Sequence, residues 1–295
     1  MHNDISIFGK KRRLVDFVLL IFMYISAAIA VFLFVGIVAY VFYRGLRQVD
    51  FEFLTGTFSA LKGTYGIAGN IINTLYIIVL TLIFVAPIGI GAAIYLNEYA
   101  KPGKLVRLIE FTTETLSGIP SIIFGLFGMV FFGNTLGLSY SLLTGALTLS
   151  LMVMPLITRN TQEALKTVPK SYRDGALGMG STKWHMIKTI LIPSAMPGII
   201  TGVILSIGRI VGESAALLFT AGSSSLLPKI GEYGEELVGK VLKPGGTLTI
   251  ELYLSVSKAK YDQAFGIAVV LLIIVFGINI LTKILASRFD LSNRK

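Results

Sequence analysis

The apolar stretch 197–222 carries only two charged residues, Arg209 and Glu213. On one continuous helix they would share a face about 6 Å apart along the axis, close enough to pair. A charge in the hydrocarbon region costs at least about 2.5–3.5 kcal/mol, so both should face a protein interior or a water-filled path. Two roles stay open. They could form a structural ion pair, or Arg209 could offer planar donors to a translocated oxyanion while Glu213 orients it.

The rest of the sequence offers little for catalysis or for a bound cofactor. Cysteine is absent and the two histidines are His2 and His185, which argues against disulfides and metal clusters. Glu110 and Glu114 lie one helical turn apart, but no nucleophile accompanies them. Segment 234–241 nearly matches a phosphate-binding P-loop, yet a valine replaces the Ser or Thr that would hold magnesium. We therefore predict a non-catalytic chain with no cofactor and no ATP site of its own.

A polar, glycine-rich segment lies between two apolar stretches and has a distinctive spacing. Its glycines should loosen a helix that starts near Ser171 and allow a sharp turn, after which Ser181 and Thr182 can cap a second helix. On spacing alone, an interfacial hairpin anchored by a tryptophan explains the segment as well as a docking site does. The residues that mark it are Asp174, Gly175, Ala176, Gly180, Trp184, Ile190 and Pro193.

The elements that position these residues should be membrane-spanning helices. Hydrophobic residues make up 54% of the chain and charged residues 14%, which indicates an integral membrane protein. A spanning helix needs about 20 mostly apolar residues, because backbone groups in lipid must bond internally. Six stretches qualify, and we predict an all-α fold with spans at 14–43, 67–96, 108–132, 138–157, 197–222 and 264–286.

Basic residues predict the orientation of these spans. With the amino terminus in the cytoplasm, 17 of the 26 Lys and Arg residues fall on the cytoplasmic side and 8 outside, with Arg209 within a span. This asymmetry favours two cytoplasmic termini and places the segment around 174–193 inside. The net charge of +10 therefore indicates membrane topology rather than nucleic-acid binding. The first apolar stretch, 14–43, is too long for the core of a signal peptide, so we predict that it is not cleaved from the chain.

Proline and glycine positions predict how two of the spans pack. Pro120, with Gly125 and Gly128 after it, should break or kink the third span and allow a close helix contact. In the fifth span, glycines at 198 and 202 and at 208 and 212 repeat the spacing of close helix packing. Their neighbour could be a second subunit or another helix of this chain.

The segment 174–193 resembles the EAA loop of ABC-importer permeases. That pattern is Glu-Ala-Ala, three residues, Gly, nine residues, Ile, one residue, Leu-Pro; here Asp174, Gly175 and Ile192 are the departures. Residues 208–222, GRIVGESAALLFTAG, are similar to a stretch of phosphate ABC-transporter permeases of the PstA type. The stretches 89–100 and 118–128 agree as well, so the resemblance covers most of residues 65–290.

The resemblance implies a type I ABC-importer permease fold with a core at 67–290. Residues 1–66 would hold a cytoplasmic tail, the first helix and an outer loop, and a second outer loop would span 223–262. It implies a coupling loop at 170–195 that docks on an ATPase, and a translocation path at Arg209 and Glu213. The implied partners are a second permease in a heterodimer, two ATPase subunits that bind ATP and Mg, and an extracytoplasmic phosphate-binding protein. The membrane would be the cytoplasmic (inner) membrane of a bacterium or archaeon.

Three other functions remain open from the sequence. The chain could be the companion phosphate permease, or a permease for another oxyanion such as sulfate or molybdate. A self-contained secondary transporter is the alternative from a different class, but it should show two inverted, similar halves. No convincing internal repeat is visible.

Overall fold

A computed structural model describes residues 14–59, 64–101, 103–225 and 239–289. The described chain is mostly helical, with one small antiparallel hairpin. The helices are α1 Leu14–Gly45, α2 Phe51–Thr55, α3 Ala68–Ile94, α4 Lys104–Ser117, α5 Ser121–Gly128, α6 Leu142–Thr167, α7 Lys170–Gly178, α8 Lys183–Met186, α9 Ile192–Val211, α10 Ala215–Thr220, α11 Leu248–Ser257 and α12 Tyr261–Phe289. The strands are β1 Thr57–Ser59 and β2 Thr64–Ile67, and π-helical turns occupy Tyr95–Tyr99, Met129–Thr135 and Ile187–Leu191.

Five helical segments within the described residues are long and apolar enough to cross a membrane. They are Asp16–Gln48, Ala68–Tyr99, Leu142–Thr167, Lys183–Val211 and Tyr261–Ile284. A sixth span results if the pair Lys104–Ser117 and Ser121–Thr135, bent by 101°, is counted as one. The chain is therefore a multi-pass, all-α membrane protein, as predicted, and its third span is broken at Pro120, which lies between the two members of the pair.

Two predicted spans have different ends in the structure. The fourth does not stop at 157 but continues to Thr167, because the polar residues after 157 stay helical and pack against α9. The fifth does not reach 222, because α9 ends at Val211 and a short break precedes α10. Glu213 lies in that break rather than on a helix.

Helix α6 forms the centre of the bundle. It packs against α3 on one side and α9 on the other, and Leu149, Val153 and Ile157 are buried between them. Ser141 caps its first turn by accepting a hydrogen bond of 3.1 Å from the Thr144 N–H. By contrast, α1 contacts α12 and leaves most of its surface exposed, so lipid or another subunit must cover this apolar helix.

The break in the third span brings α5 against α6 and α10. A Cβ atom on Gly125 would lie 2.8 Å from the Cα of Ala216, and one on Gly128 would overlap the Thr148 side chain. Only glycine allows this approach of backbones. The packing role predicted for these glycines is confirmed.

The described part of segment 44–66 contains a short capped helix and a small hairpin. Asp50 caps α2 by accepting a hydrogen bond of 2.7 Å from the Phe53 N–H, and the hairpin β1–β2 follows. The Phe53 ring is buried with Ile67 and Leu248 in an apolar cluster of its own. Phe53 therefore packs inside the protein, and one of its partners, Leu248, lies far along the chain.

The segment 223–262 contains helix α11, which hydrogen bonds join to α3 and to β2. Thr247 caps α11, and the Leu248 N–H donates to the Thr74 hydroxyl at 3.0 Å. The Tyr65 hydroxyl donates to Glu251 at 2.9 Å, and burial raises the pKa of Tyr65 far above its usual value. The near P-loop at 234–241 falls largely outside the described residues.

Candidate coupling segment and translocation cavity

The segment 170–193 forms two helices joined by a sharp turn. Helix α7 ends at Gly178, and Gly180 has a φ of 82°, a left-handed conformation that favours glycine. Thr182 then caps α8 by accepting a hydrogen bond of 3.3 Å from the His185 N–H. The predicted helix, turn and cap are confirmed. The second helix is not a separate element, however, because it continues through a π-helical turn directly into α9.

The marked residues of this segment divide between the protein interior and the surface. Ala176 is buried, and Ile190 packs partly against the same apolar cluster, so these two hold the segment on the bundle. Trp184 is 60% exposed and Met179 is 84% exposed. The remaining marked residues are Asp174, Gly175 and Gly180, which are exposed, and Pro193, which is half-buried. Tyr172 and Leu177 are about half exposed as well, so the outward surface is a polar face with four large apolar or aromatic side chains.

An ion pair beneath the segment was not predicted from the sequence. Arg173 Nη2 lies 2.9 Å from Glu98 Oε1, and the two side chains are only 18% and 6% exposed. The sequence gives one weak hint that Arg173 matters, because it directly precedes the marked residue Asp174. Glu98 lies 75 residues earlier in the chain, so no local sequence pattern connects the two.

Arg209 lines a cavity with a volume of about 610 Å³. The helix register gives its depth. A Cβ on Gly198 would lie 2.6 Å from the Cβ of Ala164, and one on Gly202 would lie 2.8 Å from that of Asn160. These two contacts show that α6 and α9 run antiparallel. Arg209, which is seven residues after Gly202, therefore lies level with the position seven residues before Asn160 on α6. Arg209 thus lies about midway along α6.

The same glycine contacts answer the packing question left open by the sequence. The neighbour of Gly198 and Gly202 is α6 of this chain, whereas nothing lies within 4 Å of a Cβ placed on Gly208. Gly208, which precedes Arg209 on α9, and Gly212, which directly follows the end of α9, are both exposed. The first glycine pair therefore serves packing within the chain, and the second lies on an open face.

The cavity contains further charged side chains between Arg209 and the end of α6 near the segment 170–193. Arg159 Nη1 lies 3.8 Å from Glu114 Oε1, and Lys166 Nζ lies 3.0 Å from Glu163 Oε1. Within the described residues, Arg209 forms no such ion pair. The other charged lining residue is Glu110. The two glutamates that offered no catalytic chemistry by sequence thus line the same space as Arg209.

Glu213 does not pair with Arg209 in the structure. Its carboxylate accepts a hydrogen bond of 3.1 Å from the Ala216 N–H, and its backbone carbonyl accepts one of 3.0 Å from Thr249. The predicted pair required one continuous helix, but α9 ends at Val211 and the chain turns at Gly212. Glu213 is consequently buried while Arg209 is exposed to the cavity.

This arrangement of spans is the fold of an ABC-importer permease. The chain is similar to a chain in a crystal structure of a bacterial alginate ABC transporter in complex with alginate pentasaccharide-bound periplasmic protein, with a TM-score of 0.66 and 15% identity. The match covers 92% of this chain and 95% of the other.

The chain belongs to the family described as binding-protein-dependent transport system inner membrane component, which matches residues 86–295. It is 36% identical to the probable ABC transporter permease protein YqgI of Bacillus subtilis (strain 168), over 83% of this chain and 84% of that protein. It is 32% identical to the phosphate transport system permease protein PstA of Mycobacterium leprae (strain TN), over 92% of this chain and 88% of that protein.

Proposed function

We propose that this chain is one of two different permease subunits in an ATP-driven importer of inorganic phosphate. The observation that carries the proposal is the guanidinium of Arg209, which faces the cavity about midway along the bundle without an ion pair among the described residues. A guanidinium offers several fixed donors to a tetrahedral oxyanion. The similarity to a protein named PstA supports phosphate as that oxyanion.

The charges along the cavity support a path from Arg209 toward the segment 170–193. Arg159 and Lys166 lie about 9 and 20 Å beyond the level of Arg209, at 1.5 Å per helical residue. Each is already paired with a glutamate, whereas Arg209 is not. An anion that leaves Arg209 would therefore meet largely neutralised cations, which favours release over tight binding.

The segment 170–193 is the proposed docking site for an ATPase subunit. Trp184 and Met179 supply the exposed apolar contacts, and Asp174 and Lys183 supply the polar surroundings. Aromatic and methionine side chains are enriched in protein interfaces. A partner ATPase, present in two copies, would bind ATP and Mg, and the second permease would complete the path. An extracytoplasmic phosphate-binding protein would deliver phosphate to the opposite end of the bundle.

The proposed membrane is the cytoplasmic (inner) membrane of a bacterium or archaeon. Both termini and the segment 170–193 would lie in the cytoplasm, in line with the excess of Lys and Arg on that side. Only this orientation gives an ATPase in the cytoplasm access to the docking segment.

The test of this function is anion uptake by the assembled transporter. The chain would be reconstituted in proteoliposomes with its candidate permease, ATPase and binding protein, and labelled phosphate uptake would be measured with and without ATP. Unlabelled sulfate and molybdate would compete in parallel. ATP-dependent uptake that only phosphate suppresses is the expected result. Preferential uptake of sulfate or molybdate would assign the chain to another oxyanion, and uptake without ATP would point to a secondary transporter.

A further inference from the structure

The Glu98 carboxylate is nearly enclosed and is held by directional hydrogen bonds. Its Oε1 atom accepts bonds from Arg173 Nη2 at 2.9 Å and from Arg173 Nε at 3.2 Å. The neighbouring Asn97 amide donates to the same oxygen at 2.6 Å. A guanidinium engaged through two nitrogens has a fixed orientation, unlike an ammonium on a flexible stem.

The same guanidinium also binds the end of α6. Nη1 donates to the Val168 carbonyl at 2.9 Å, and Nη2 donates to the Leu165 carbonyl at 2.9 Å. The last carbonyls of a helix lack their usual partners within the helix, and Arg173 donates to two of them; the Leu165 carbonyl also accepts a bond of 3.4 Å from the Val168 N–H. One side chain on α7 therefore joins the ends of two long helices, α3 and α6.

Both helices of the segment 170–193 contact the π-helical turn Tyr95–Tyr99 at the end of α3. Glu98 in this turn receives Arg173 from α7, and the Tyr99 ring lies 4.9 Å from the Lys183 Nζ of α8. A π-helical turn is uncommon and is often found at functional positions. In this protein the π-helical turn is where the segment 170–193 reaches α3.

An apolar cluster beneath the segment holds it against the bundle. The segment contributes Ala176, Met186, Ile187 and Leu191 to this cluster, and α6 contributes Leu165 and Val168. Apolar contacts by themselves have no directional preference. The hydrogen bonds of Arg173 are directional, so they link the orientation of α7 to the ends of α3 and α6.

We propose that the Glu98–Arg173 pair is the mechanical joint that makes α7 and the end of α3 move as one body when the ATPase moves the segment. Both are positioning residues and touch neither anion nor nucleotide. This inference rests on the proposed docking of an ATPase at the segment. Without the joint, the segment would follow the ATPase while α3 would not, so hydrolysis would continue and import would fail.

The first test compares import with hydrolysis in the reconstituted complex. Glu98→Gln keeps the size of the side chain and removes its charge, and we expect phosphate imported per ATP to fall at least ten-fold while hydrolysis stays within about two-fold. Glu98→Asp should give an intermediate ratio. The control is Asp262→Asn, which removes the exposed carboxylate paired with Arg44 at 3.6 Å and should leave the ratio unchanged. A native ratio in Glu98→Gln would overturn the proposal.

The second test measures the joint directly and needs no transported anion. The chain has no cysteine, so spin labels can be placed at Leu177→Cys on α7 and Ile88→Cys on α3, both exposed positions. Their separation should stay constant on ATP binding in the otherwise native complex and change in Glu98→Gln. A separation that changes equally in both complexes would overturn the joint even if phosphate import is confirmed.

The two tests separate the joint from the proposed function. A native complex that assembles and hydrolyses ATP but imports no phosphate would refute the proposed substrate, and the spin-label distances would still decide the joint. Where Glu98→Gln does not assemble, Arg173→Lys replaces it in both measurements. This variant keeps the charge but loses the planar donors, so a native ratio and an unchanged separation would contradict the joint.

Discussion

The Oε1 atom of Glu213 accepts a hydrogen bond of 3.1 Å from the backbone N–H of Ala216. The two residues flank the start of α10, where a helix leaves its first N–H groups without partners. Glu213 therefore supplies a hydrogen-bond acceptor to a buried helix end. This contact does not involve Arg209. In this geometry Glu213 supports the break between α9 and α10, and Arg209 lines the cavity without an ion pair among the described residues.

Substitution of Glu213 should distinguish the hydrogen bond from the charge. Glu213→Gln keeps an acceptor oxygen and should leave the thermal stability of the purified chain almost unchanged. Glu213→Ala leaves a buried N–H without a partner, which costs about 1–3 kcal/mol. The check is thermal unfolding of both variants in detergent. Equal destabilisation by Gln and Ala would show that the charge, and not the acceptor, is what matters.

Two glycines in the segment 170–193 should respond differently to alanine. Gly180 has a φ of 82°, so Gly180→Ala should destabilise the turn by about 1–2 kcal/mol even though no atom lies near the new Cβ. Gly175 lies within α7 with equally open space, so Gly175→Ala should be neutral or stabilise by about 0.5–1 kcal/mol. Thermal unfolding of the purified chain compares them. Similar effects would contradict a requirement for left-handed backbone at 180.

The exposed Trp184 should be needed for association with the ATPase but not for membrane insertion. Trp184→Glu places a charge in the proposed docking surface and should reduce co-purification of the ATPase at least ten-fold. Trp184→Phe keeps an aromatic contact and serves as the control, with association close to native. If the Trp184→Glu variant still co-purifies with the ATPase at the native level, this face of the segment is not part of the docking surface.

The close contact of α5 with α10 should be sensitive to a single methyl group. Gly125→Ala places a Cβ about 2.8 Å from the Cα of Ala216. The helices must then separate, and overpacking of this kind costs about 1–3 kcal/mol. Gly91→Ala is the matched control, since Gly91 is also helical and nothing lies within 4 Å of its added Cβ. An unchanged unfolding temperature for Gly125→Ala would mean that the contact relaxes freely.

The spans could be predicted from sequence because lipid imposes one requirement on every crossing segment. About 20 apolar residues in helical form are needed, and this pattern is local. The break at Pro120 and the turn at Gly180 were also predictable, because proline and glycine act through their own backbone. The end of the fifth span was missed, since the residues after Gly212 are nearly as apolar as those before it.

The remaining features depend on residues that are distant in the chain. Phe53 looks like an interfacial aromatic until Leu248 covers it, and Glu98 looks like a turn residue until Arg173 reaches it. The expected pairing of Arg209 with Glu213 used helical spacing, which fails where the helix ends. Such contacts are set by tertiary packing, and no single-segment pattern contains them.

The measurement that tests the central claim most directly is ATP-dependent phosphate uptake by the reconstituted complex with Arg209→Ala. Arg44→Ala is the control, because it removes one exposed arginine away from the cavity. Assembly with the partner subunits would be checked for both variants. The anion path predicts that Arg209→Ala assembles normally and loses uptake at least about 100-fold, while Arg44→Ala stays near native. Native phosphate uptake by an assembled Arg209→Ala complex would contradict the path.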